Sequence, residues 1–402
     1  MKRIYETLLA DHFAHNRQMA FLSGPRQVGK TTLAQSVLSS ARMFNYDFAQ
    51  DARIILKGAE AVAEAADLAN PANRCKGIVF DELHKFPKWK SLLKGFFDVY
   101  GKGLPVAVTG SARLNVYKRG GDSLMGRYFS YRIHPFTVGE FVERESVDLE
   151  RLLQSPVDVP QSSLDALLRF GGYPEPLLNG SVRFYNRWRN GRLEKIFDED
   201  LRDMSHVLDI RGVRTLGAIL DERVGSVVNR ASLAADLAVA PDTVKAWIGL
   251  LESVYYCFLI HPWSLHVANA IRKQPKVYLW DWSPVADEGA RNENFIASHL
   301  LKNVHWWTDS GLGSFDLYYV RDKQQREVDF LVTKDKSPFM LVECKTSMQA
   351  PLSPSLVMFQ KSLSVPYAFQ VAMDGEQSGI DVMDYRGQAV KVSARDFLGR
   401  LI

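Results

Sequence analysis

The sequence predicts an α/β protein in which a parallel-sheet domain comes first, a mainly helical domain second and another α/β domain last. Three observations support this order. Up to about residue 135, short apolar runs alternate with amphipathic stretches, which is typical of a parallel sheet covered by helices. From Leu164 to about Pro262 apolar residues recur at helical spacing, and from Lys276 onward strand-like runs return. We therefore expect domains at residues 1–190, 191–265 and 266–402.

The composition is that of an ordinary globular protein. The 402 residues include 46% hydrophobic and 24% charged residues, and the net charge of +4 permits contact with nucleic acid without arguing for it. Cys75, Cys257 and Cys344 lie far apart, which predicts neither a disulfide framework nor a zinc site and fits a reducing compartment. Neither the N-terminus nor the run from Val254 to Ile260 is apolar over a membrane-spanning length. We expect a cytoplasmic protein with no membrane partner.

Five apolar runs are expected to form the strands of the first sheet. In chain order they are MAFL at residue 19, MFNYDF at 43, GIVF at 77, PVAVTG at 105 and YFSYRI at 128. The carboxyl ends of parallel strands line the ligand crevice of such a sheet. Further along, the stretch 145–163 has Pro, Ser and Asp at close intervals, which predicts a mobile connection or a lid.

The segment after the first strand has the pattern of a phosphate-binding loop. It matches G-x-x-x-x-G-K-[ST], follows a predicted strand and opens a predicted helix. Glycines let consecutive N–H groups point towards a phosphate, Lys30 is expected to pair with the β- and γ-phosphates, and Thr31 to bind Mg²⁺. An ordinary strand-to-helix turn is the alternative. The expected nucleotide-binding residues here are Gly24, Pro25, Arg26, Gln27, Val28, Gly29, Lys30, Thr31 and Thr32.

Two acidic residues end a strand in GIVFDELHK. Asp81 is expected to complete the protein part of the Mg²⁺ shell, while Glu82 would polarise the attacking water. Acidic residues that favour a helix N-terminus are the alternative. The strand PVAVTGS ends in Thr109 and Ser111, whose hydroxyl groups are placed to contact the γ-phosphate or the water.

Hydrolysis also benefits from a cation that stabilises the charge developing on the phosphate. Arg127 is the first candidate for this contact, and Arg113 and Arg132 are weaker ones. An exposed or salt-bridged arginine is the alternative for each of them.

Together these pieces resemble the AAA-type P-loop ATPase domain of a large group of bacterial and archaeal ATP-binding proteins that carry a C-terminal domain of unknown function. The matching pieces, within residues 1 to about 180, are LSGPRQVGKTTL, IVFDELHK, VTGSARL, LMGRYFSYRIHPFTVGEF and GGYPEP. The resemblance implies ATP and Mg²⁺ as cofactors and is compatible with a homo-oligomer. It also implies roles for Lys30, Thr31, Asp81 and Glu82 as given above, Ser111 near the sensor-1 position, and Arg127 as the arginine contact.

The middle region contains a helix, a turn, a second helix and a β segment between Asn229 and Trp263, which is a winged-helix pattern. The outward positions of the second helix, from Asp242 to Gly249, carry one acid and one lysine, so a domain-bridging role is favoured over DNA reading. The segment RFYNRWRNGR at residues 183–192 is more basic than that helix and is the better candidate for contact with nucleic acid. Its favoured alternative is an amphipathic helix that packs Tyr185 and Trp188 against a neighbour.

The C-terminal strands REVDFLV and FMLVECK contain Asp329, Glu343 and Lys345. Glu343 and Lys345 are two positions apart and share a face, so Asp329 and Glu343 could bind Mg²⁺ or Mn²⁺ while the lysine activates a water towards a phosphodiester. Over residues 276–380 this arrangement resembles the PD-(D/E)xK nuclease core, which implies Glu293, on a preceding helix, as a further catalytic residue. Charged residues that only solubilise strand ends are the alternative.

These patterns predict a Mg²⁺-dependent ATPase whose cycle moves a winged-helix domain and a nuclease-like domain on nucleic acid, with DNA favoured over RNA. The alternative is a switch in which ATP only changes the domain arrangement and the C-terminal domain is a scaffold for a protein or nucleic-acid partner. Glu82 separates these hypotheses, because a pure switch has no use for a base beside the magnesium ligand.

Overall fold

The computed structural model describes residues 2–70, 75–110, 124–142, 147–204, 209–264, 274–379 and 381–402. The chain divides into two compact units, Met1–His134 and Pro135–Ile402. In the described part of the chain, no helix has both the length and the apolar character needed to cross a membrane.

The first unit contains a five-stranded parallel sheet, and all five strands expected from the sequence are confirmed. The strands are β1 (Met19–Ser23), β2 (Arg42–Asn45), β3 (Ile78–Asp81), β4 (Val106–Gly110) and β5 (Tyr128–Arg132). Their order in the sheet is β2-β3-β4-β1-β5, so β4 lies between the strand that precedes the glycine loop and the strand that ends in Asp81. The parallel order brings the carboxyl ends of these strands to one edge.

Helices pack on this sheet because their apolar residues recur on one face. They are α1 (Tyr5–His15), α2 (Lys30–Val37), α3 (Ala49–Lys57), α4 (Ala59–Ala65) and α5 (Trp89–Tyr100), with a 3₁₀ turn at Leu83–Lys85. Phe44, Phe80 and Phe96 are fully buried in the core between β2, β3 and α5. This core holds β3 in place and thereby the residues at its end.

The second unit is built on a seven-stranded mixed sheet of order β12-β11-β10-β9-β8-β6-β7. The strands are β6 (Cys257–Pro262), β7 (Lys276–Leu279), β8 (Phe315–Arg321), β9 (Glu327–Lys334), β10 (Ser337–Lys345), β11 (Tyr367–Ala372) and β12 (Ala389–Ser393). Strand β9 is antiparallel to both β8 and β10, whereas β10, β11 and β12 are parallel. The three strands β8, β9 and β10 therefore form a meander at the centre of the sheet.

Most helices of the second unit precede β6, and the last three lie between or after the strands of the sheet. The helices are α6 (Val138–Phe141), α7 (Gln161–Phe170), α8 (Pro174–Asn179), α9 (Val182–Lys195), α10 (Leu201–Met204), α11 (Ile210–Glu222), α12 (Arg230–Asp236), α13 (Pro241–Ser253), α14 (Glu288–Asp309), α15 (Pro354–Ser362) and α16 (Ala394–Leu398). A π-helical turn at Ile196–Asp200 joins α9 to α10, and a 3₁₀ turn lies at Val382–Tyr385.

This division differs from the domain boundaries expected near residues 190 and 265. Residue 190 lies within α9, and β6, which ends before residue 265, pairs with β7 and β8 in the same sheet. The described part of the expected lid, residues 147–163, packs within the second unit: Trp307 donates a hydrogen bond to the carbonyl of Leu152 at 2.6 Å, and Val159 is buried. Its last three residues begin α7. Local composition indicated a loop but not what the loop packs against.

A buried ion pair joins the long helix α14 to α6. Lys302 and Glu140 are both fully buried, with 2.6 Å between Nζ and Oε2. Lys302 also donates to the hydroxyl of Thr137 at 2.9 Å, and Thr137 donates to the carbonyl of Ile402 at 2.8 Å. The pair thus links α14 to α6 and to the C-terminal residue.

We expect Lys302→Met to destabilise the second unit by about 3–5 kcal/mol, because it leaves the carboxylate of Glu140 buried without its ammonium partner. The double variant Lys302→Met/Glu140→Leu should lose less, since no uncompensated charge remains. Denaturation followed by tryptophan fluorescence measures both, with the exposed Lys361→Met as the control. A double variant less stable than the single one would contradict this account.

Candidate functional site

The glycine loop lies between β1 and α2, at the carboxyl edge of the first sheet. A Cβ atom on Gly24 would lie 2.2 Å from the carbonyl oxygen of Ile133, so a side chain there would collide with the neighbouring backbone. Gly29, the residue before α2, has φ +86°, a left-handed conformation that glycine adopts without strain. The backbone path therefore requires both glycines of the motif.

Lys30 folds back over this loop. Its ammonium group donates to the carbonyl oxygens of Gly24 at 3.0 Å and Pro25 at 2.7 Å, and its side chain is largely buried. These acceptors are uncharged, so an anionic phosphate can compete for the ammonium group. The other predicted loop residues surround the same path, with Val28 buried, Arg26 half-buried and Gln27 and Thr32 exposed.

Asp81 lies buried at the end of β3 and accepts hydrogen bonds from three elements. Thr31 in α2 donates at 2.9 Å, Asn45 at the end of β2 donates at 3.2 Å, and Thr109 in β4 donates through its hydroxyl group. Thr109, which was expected to face a γ-phosphate or a water, is thus bonded to the carboxylate. Three uncharged donors fix the orientation of this carboxylate.

Thr31 and Asp81 fit a magnesium ion. Mg²⁺ takes oxygen ligands in octahedral geometry, and in nucleotide sites one or two protein groups bind it together with phosphate oxygens and water. Adjacent ligands at about 2.1 Å from an octahedral ion lie about 3.0 Å apart. The hydroxyl and carboxylate oxygens here are 2.9 Å apart.

Glu82 follows Asp81 with φ +53°, an uncommon conformation for a residue other than glycine. Such strain is tolerated where the surroundings impose it, often at functional sites. The Glu82 carboxylate is 3.4 Å from the ammonium group of Lys85 and 3.8 Å from the imidazole of His84, and 21% of its side chain is exposed. Glu82 therefore lies next to the buried Asp81 and remains accessible to water.

The structure corrects the expected position of Arg127. The N–H of Met19, the first residue of β1, donates to the carbonyl of Arg127, whereas the glycine loop follows the last residue of β1. Five strand residues span roughly 16 Å, so Arg127 lies at the opposite edge of the sheet from the loop. Its guanidinium group pairs with Asp98 at 2.7 Å. Arg127 therefore does not contact a phosphate in the loop of its own chain.

Arg132 is the alternative that the strand register favours, because it pairs with Ser23 beside the glycine loop. Ser111 and Arg113, the other predicted contacts, lie outside the described residues.

Arg3 is a residue of this site that the sequence did not reveal. Its buried guanidinium group donates to the carbonyl of Val28 at 2.6 Å and to the carbonyl of His134 at 2.6 Å. Arg3 thus connects the glycine loop to the end of β5 and brings a positive charge close to Gly29. No motif surrounds this residue, so sequence pattern gives no signal for it.

In the second unit the predicted carboxylates come together. Val342 of β10 pairs with Phe330 of β9, which brings Glu343 beside Asp329. Asp329 accepts from the backbone N–H of Cys344 at 2.9 Å, and Glu343 pairs with Lys345 at 2.8 Å. Burial, and then the charge of Glu293, raise the pKa of Asp329 to about 7.

Lys276, which the sequence analysis did not single out, lies within this cluster. Its ammonium group is 2.8 Å from Glu327, 3.1 Å from Glu293 and 3.8 Å from Asp329. Tyr278 also donates to Glu293 at 2.7 Å. Burial alone would lower the pKa of Lys276, but the three carboxylates raise it well above its ordinary value.

These carboxylates do not fit the divalent ion that the nuclease resemblance implies. Among the described residues, no group of three or more His, Cys, Asp and Glu is arranged to hold a metal ion. The ammonium group of Lys276 already contacts Glu293, Glu327 and Asp329, and it would repel a second cation at the same point. Phosphodiester cleavage through a metal at Asp329 and Glu343 is therefore not supported.

The basic stretch forms most of α9. Trp188 packs near Tyr173, with 5.1 Å between ring centroids, and Tyr185 bonds to Ser283 at 2.9 Å, as the amphipathic-helix alternative expected. Arg183 and Arg187, in contrast, are exposed and line an open groove of about 780 Å³. Phe184 and the N-cap Ser181 line the same groove.

The helices of the predicted winged helix, α12 and α13, are present. They bury Leu233, Val244, Trp247 and Leu251. The strand after them, β6, belongs to the large sheet of the second unit.

Family models match three successive parts of the chain. Residues 16–142 match an AAA domain, residues 161–287 match a domain of unknown function (DUF8612) and residues 288–384 match a second one (DUF4143). The AAA match contains both the glycine loop and Asp81. The first unit therefore has an AAA-type P-loop fold, followed by an additional α/β unit.

Similar proteins include an uncharacterized protein, Rv2008c, of Mycobacterium tuberculosis, 25% identical over 81% of this chain and 70% of its own length. An uncharacterized protein of Haemophilus influenzae is 20% identical over 78% of this chain and 79% of its own length. Among solved structures, the Aeropyrum pernix ORC1 protein in complex with DNA gives a TM-score of 0.33 at 12% identity, over 74% of this chain and 93% of that one. AMPPCP-bound DnaA from Aquifex aeolicus gives 0.32 at 13% identity, over 61% and 86%.

We expect Arg3→Met to weaken ATP binding about tenfold, because the glycine loop loses a charged hydrogen bond worth about 1.5 kcal/mol. Titration with a fluorescent ATP analogue measures the change. Arg17→Met is the matched control, since Arg17 is exposed and precedes β1 at the opposite edge of the sheet. Unchanged affinity together with a lower unfolding temperature would show that Arg3 stabilises the fold only.

Proposed function

We propose that this protein binds ATP with Mg²⁺ at its glycine loop and hydrolyses it, and that the nucleotide state controls contacts of the second unit with nucleic acid. The observation that supports hydrolysis is the contact at 2.9 Å between the hydroxyl of Thr31 and the carboxylate of Asp81 directly after the loop. This is the pair of oxygen ligands that a magnesium-dependent phosphoryl-transfer site uses.

The loop and the end of β3 have separate roles in this proposal. Lys30 exchanges its carbonyl acceptors for phosphate oxygens, and the loop N–H groups donate to the same anion. When bound, Mg²⁺ would supply positive charge that balances the charge developing on the phosphate. Thr31 and Asp81 would hold the ion. Glu82, partly open to solvent, accepts a hydrogen bond from the attacking water and orients it.

Contact with nucleic acid is supported by the first turns of α9. Arg183 and Arg187 are one helical turn apart and exposed, and Phe184 beside them offers a ring face for an unpaired base. A single strand, with phosphates and accessible bases, fits this combination better than a closed duplex. The helices α12 and α13 present fewer charges, so we assign them a partner-contacting role rather than DNA reading.

Metal-dependent cleavage by the second unit is not part of this proposal, because Lys276 already pairs with Asp329 and with the neighbouring Glu293 and Glu327, and Lys345 pairs with Glu343. The unit would bind a nucleic-acid partner without cutting it. A panel of single-stranded, duplex and branched DNA and RNA incubated with Mg²⁺ or Mn²⁺ tests this. Cutting that disappears in both Asp329→Ala and Lys345→Ala would overturn it.

Hydrolysis is tested by Glu82→Gln. We expect ATP turnover to fall by about 100-fold or more, because the water loses its base, while ATP affinity changes little. Steady-state phosphate release and nucleotide titration measure the two quantities, with Glu64→Gln, an exposed substitution on α4, as the control. Equal turnover in the wild type and Glu82→Gln would remove Glu82 from the mechanism. A wild type that binds ATP without turnover would favour the pure switch.

The nucleic-acid contact is tested by the double variant Arg183→Ala/Arg187→Ala. Loss of two phosphate contacts should reduce the salt dependence of single-strand binding by about 0.7 per arginine in the slope of log K against log salt. Fluorescence anisotropy with labelled DNA and RNA strands, with and without ATP, measures this. The matched control is Arg211→Ala/Arg214→Ala, two exposed arginines on α11. Equal slopes in both double variants would exclude α9 as the contact.

A further inference from the structure

Lys276 is held rigidly at an inner position of the second unit. It is the first residue of β7, pairs with Ile260 of β6 on one side and forms an isolated bridge with Val227 on the other. Only 4% of its surface is exposed. Its ammonium group lies 5.7 Å from the ring centroid of Tyr319, which adds a cation–π contact. The position of the charge is therefore set by backbone pairing, and the side chain has little room to move.

The ammonium group contacts three acids from two different elements. Glu327 and Asp329 belong to β9, and Glu293 belongs to α14, so the carboxylates converge on Lys276 from a sheet and from a helix that covers it. The distances of 2.8 to 3.8 Å are those of direct ion pairs. Convergent carboxylates of this kind are what Mg²⁺ and Mn²⁺ bind in proteins. Here the central position already contains a positive charge that the protein itself supplies.

One carboxylate oxygen at the edge of the cluster stays unused. Oε1 of Glu343 pairs with Lys345, but Oε2 is buried and has no hydrogen-bond partner among the described residues. A buried carboxylate oxygen without a donor is unfavourable, and native structures keep few of them. The carboxylate oxygens of the cluster can therefore accept more hydrogen bonds than Lys276 and Lys345 donate.

We infer that Lys276 is a built-in cation: its ammonium group takes the place of a divalent metal ion in this carboxylate cluster. The acids are arranged around the ammonium group and not around an ion. Replacing the lysine by a neutral residue would leave them without this cation, so that Mg²⁺ or Mn²⁺ would take its place among Glu293, Glu327 and Asp329. One ammonium charge offsets the charge of three carboxylates only in part, but it does so from within the chain. This inference concerns a different site from the proposed ATPase centre and does not depend on it.

Mn²⁺ binding to nucleotide-free protein, counted by electron paramagnetic resonance, tests the inference. All samples carry Thr31→Ala, so that the glycine loop does not contribute a site. With Lys276 present we expect no Mn²⁺ at the cluster. With Lys276→Met we expect one bound Mn²⁺ per chain and an affinity at least about tenfold higher. Adding Asp329→Asn to that variant should remove the gained site.

Lys302→Met is the matched control, because it removes another buried ammonium group of the same unit, one paired with Glu140. It should gain no Mn²⁺ site. Two results would overturn the inference: Mn²⁺ bound in the presence of Lys276 and lost in Asp329→Asn, or a folded Lys276→Met that gains no ion. The first of these results needs no substitution at position 276. Mn²⁺ binding that is lost in Asp329→Asn would therefore overturn the inference even if Lys276→Met does not fold.

Discussion

The carboxylate of Asp81 is the group on which the nucleotide site depends. It is buried at the end of a central strand, and a buried charge is stable only where donors surround it. The donors come from three neighbouring elements: Thr31 lies in α2, Asn45 in β2 and Thr109 in β4. A shift of β3 along β4 would break these bonds. The alignment of the strands and the position of the expected magnesium ligands are therefore set by the same contacts.

The carboxylates of Asp81 and Asp329 differ in the groups that surround them. Around Asp81 the donors are hydroxyl and amide groups, and the hydroxyl oxygen of Thr31 can still offer a lone pair to a metal ion. Around Asp329 the partners are the ammonium group of Lys276 and a backbone N–H, which have no lone pair to offer. Burial, and then the charge of Glu293, raise the pKa of Asp329, and the charge of Lys276 opposes this shift. Similar carboxylates at strand ends thus favour a metal at one site and an internal cation at the other.

Local pattern was enough to predict the five strands of the first sheet, the glycine loop and the convergence of Asp329 with Glu343. It failed where the answer depends on pairing between distant segments. Arg127 directly precedes β5 and Arg132 ends it, and only the pairing of Met19 with Tyr128 shows which of them lies beside the loop. Arg3 acts on a loop 25 residues away, and nothing in its neighbours indicates this. Lys276 begins an apolar run, where a charged residue is unusual, and this was the available signal for a buried ion pair.

Three buried lysines show why the type of partner decides what a cation can do. Lys302 is paired with one carboxylate and a hydroxyl group deep in the second unit, an arrangement that binds elements together. Lys276 is surrounded by three carboxylates, and no incoming anion can compete with them for its charge. Lys30 donates to backbone carbonyl oxygens, which carry only partial charge. A triphosphate offers full negative charges in their place, so the gain on exchange is large for Lys30 and absent for the other two. Burial alone would make the three lysines look alike; the carbonyl acceptors of Lys30 fit the phosphate-binding role proposed for it.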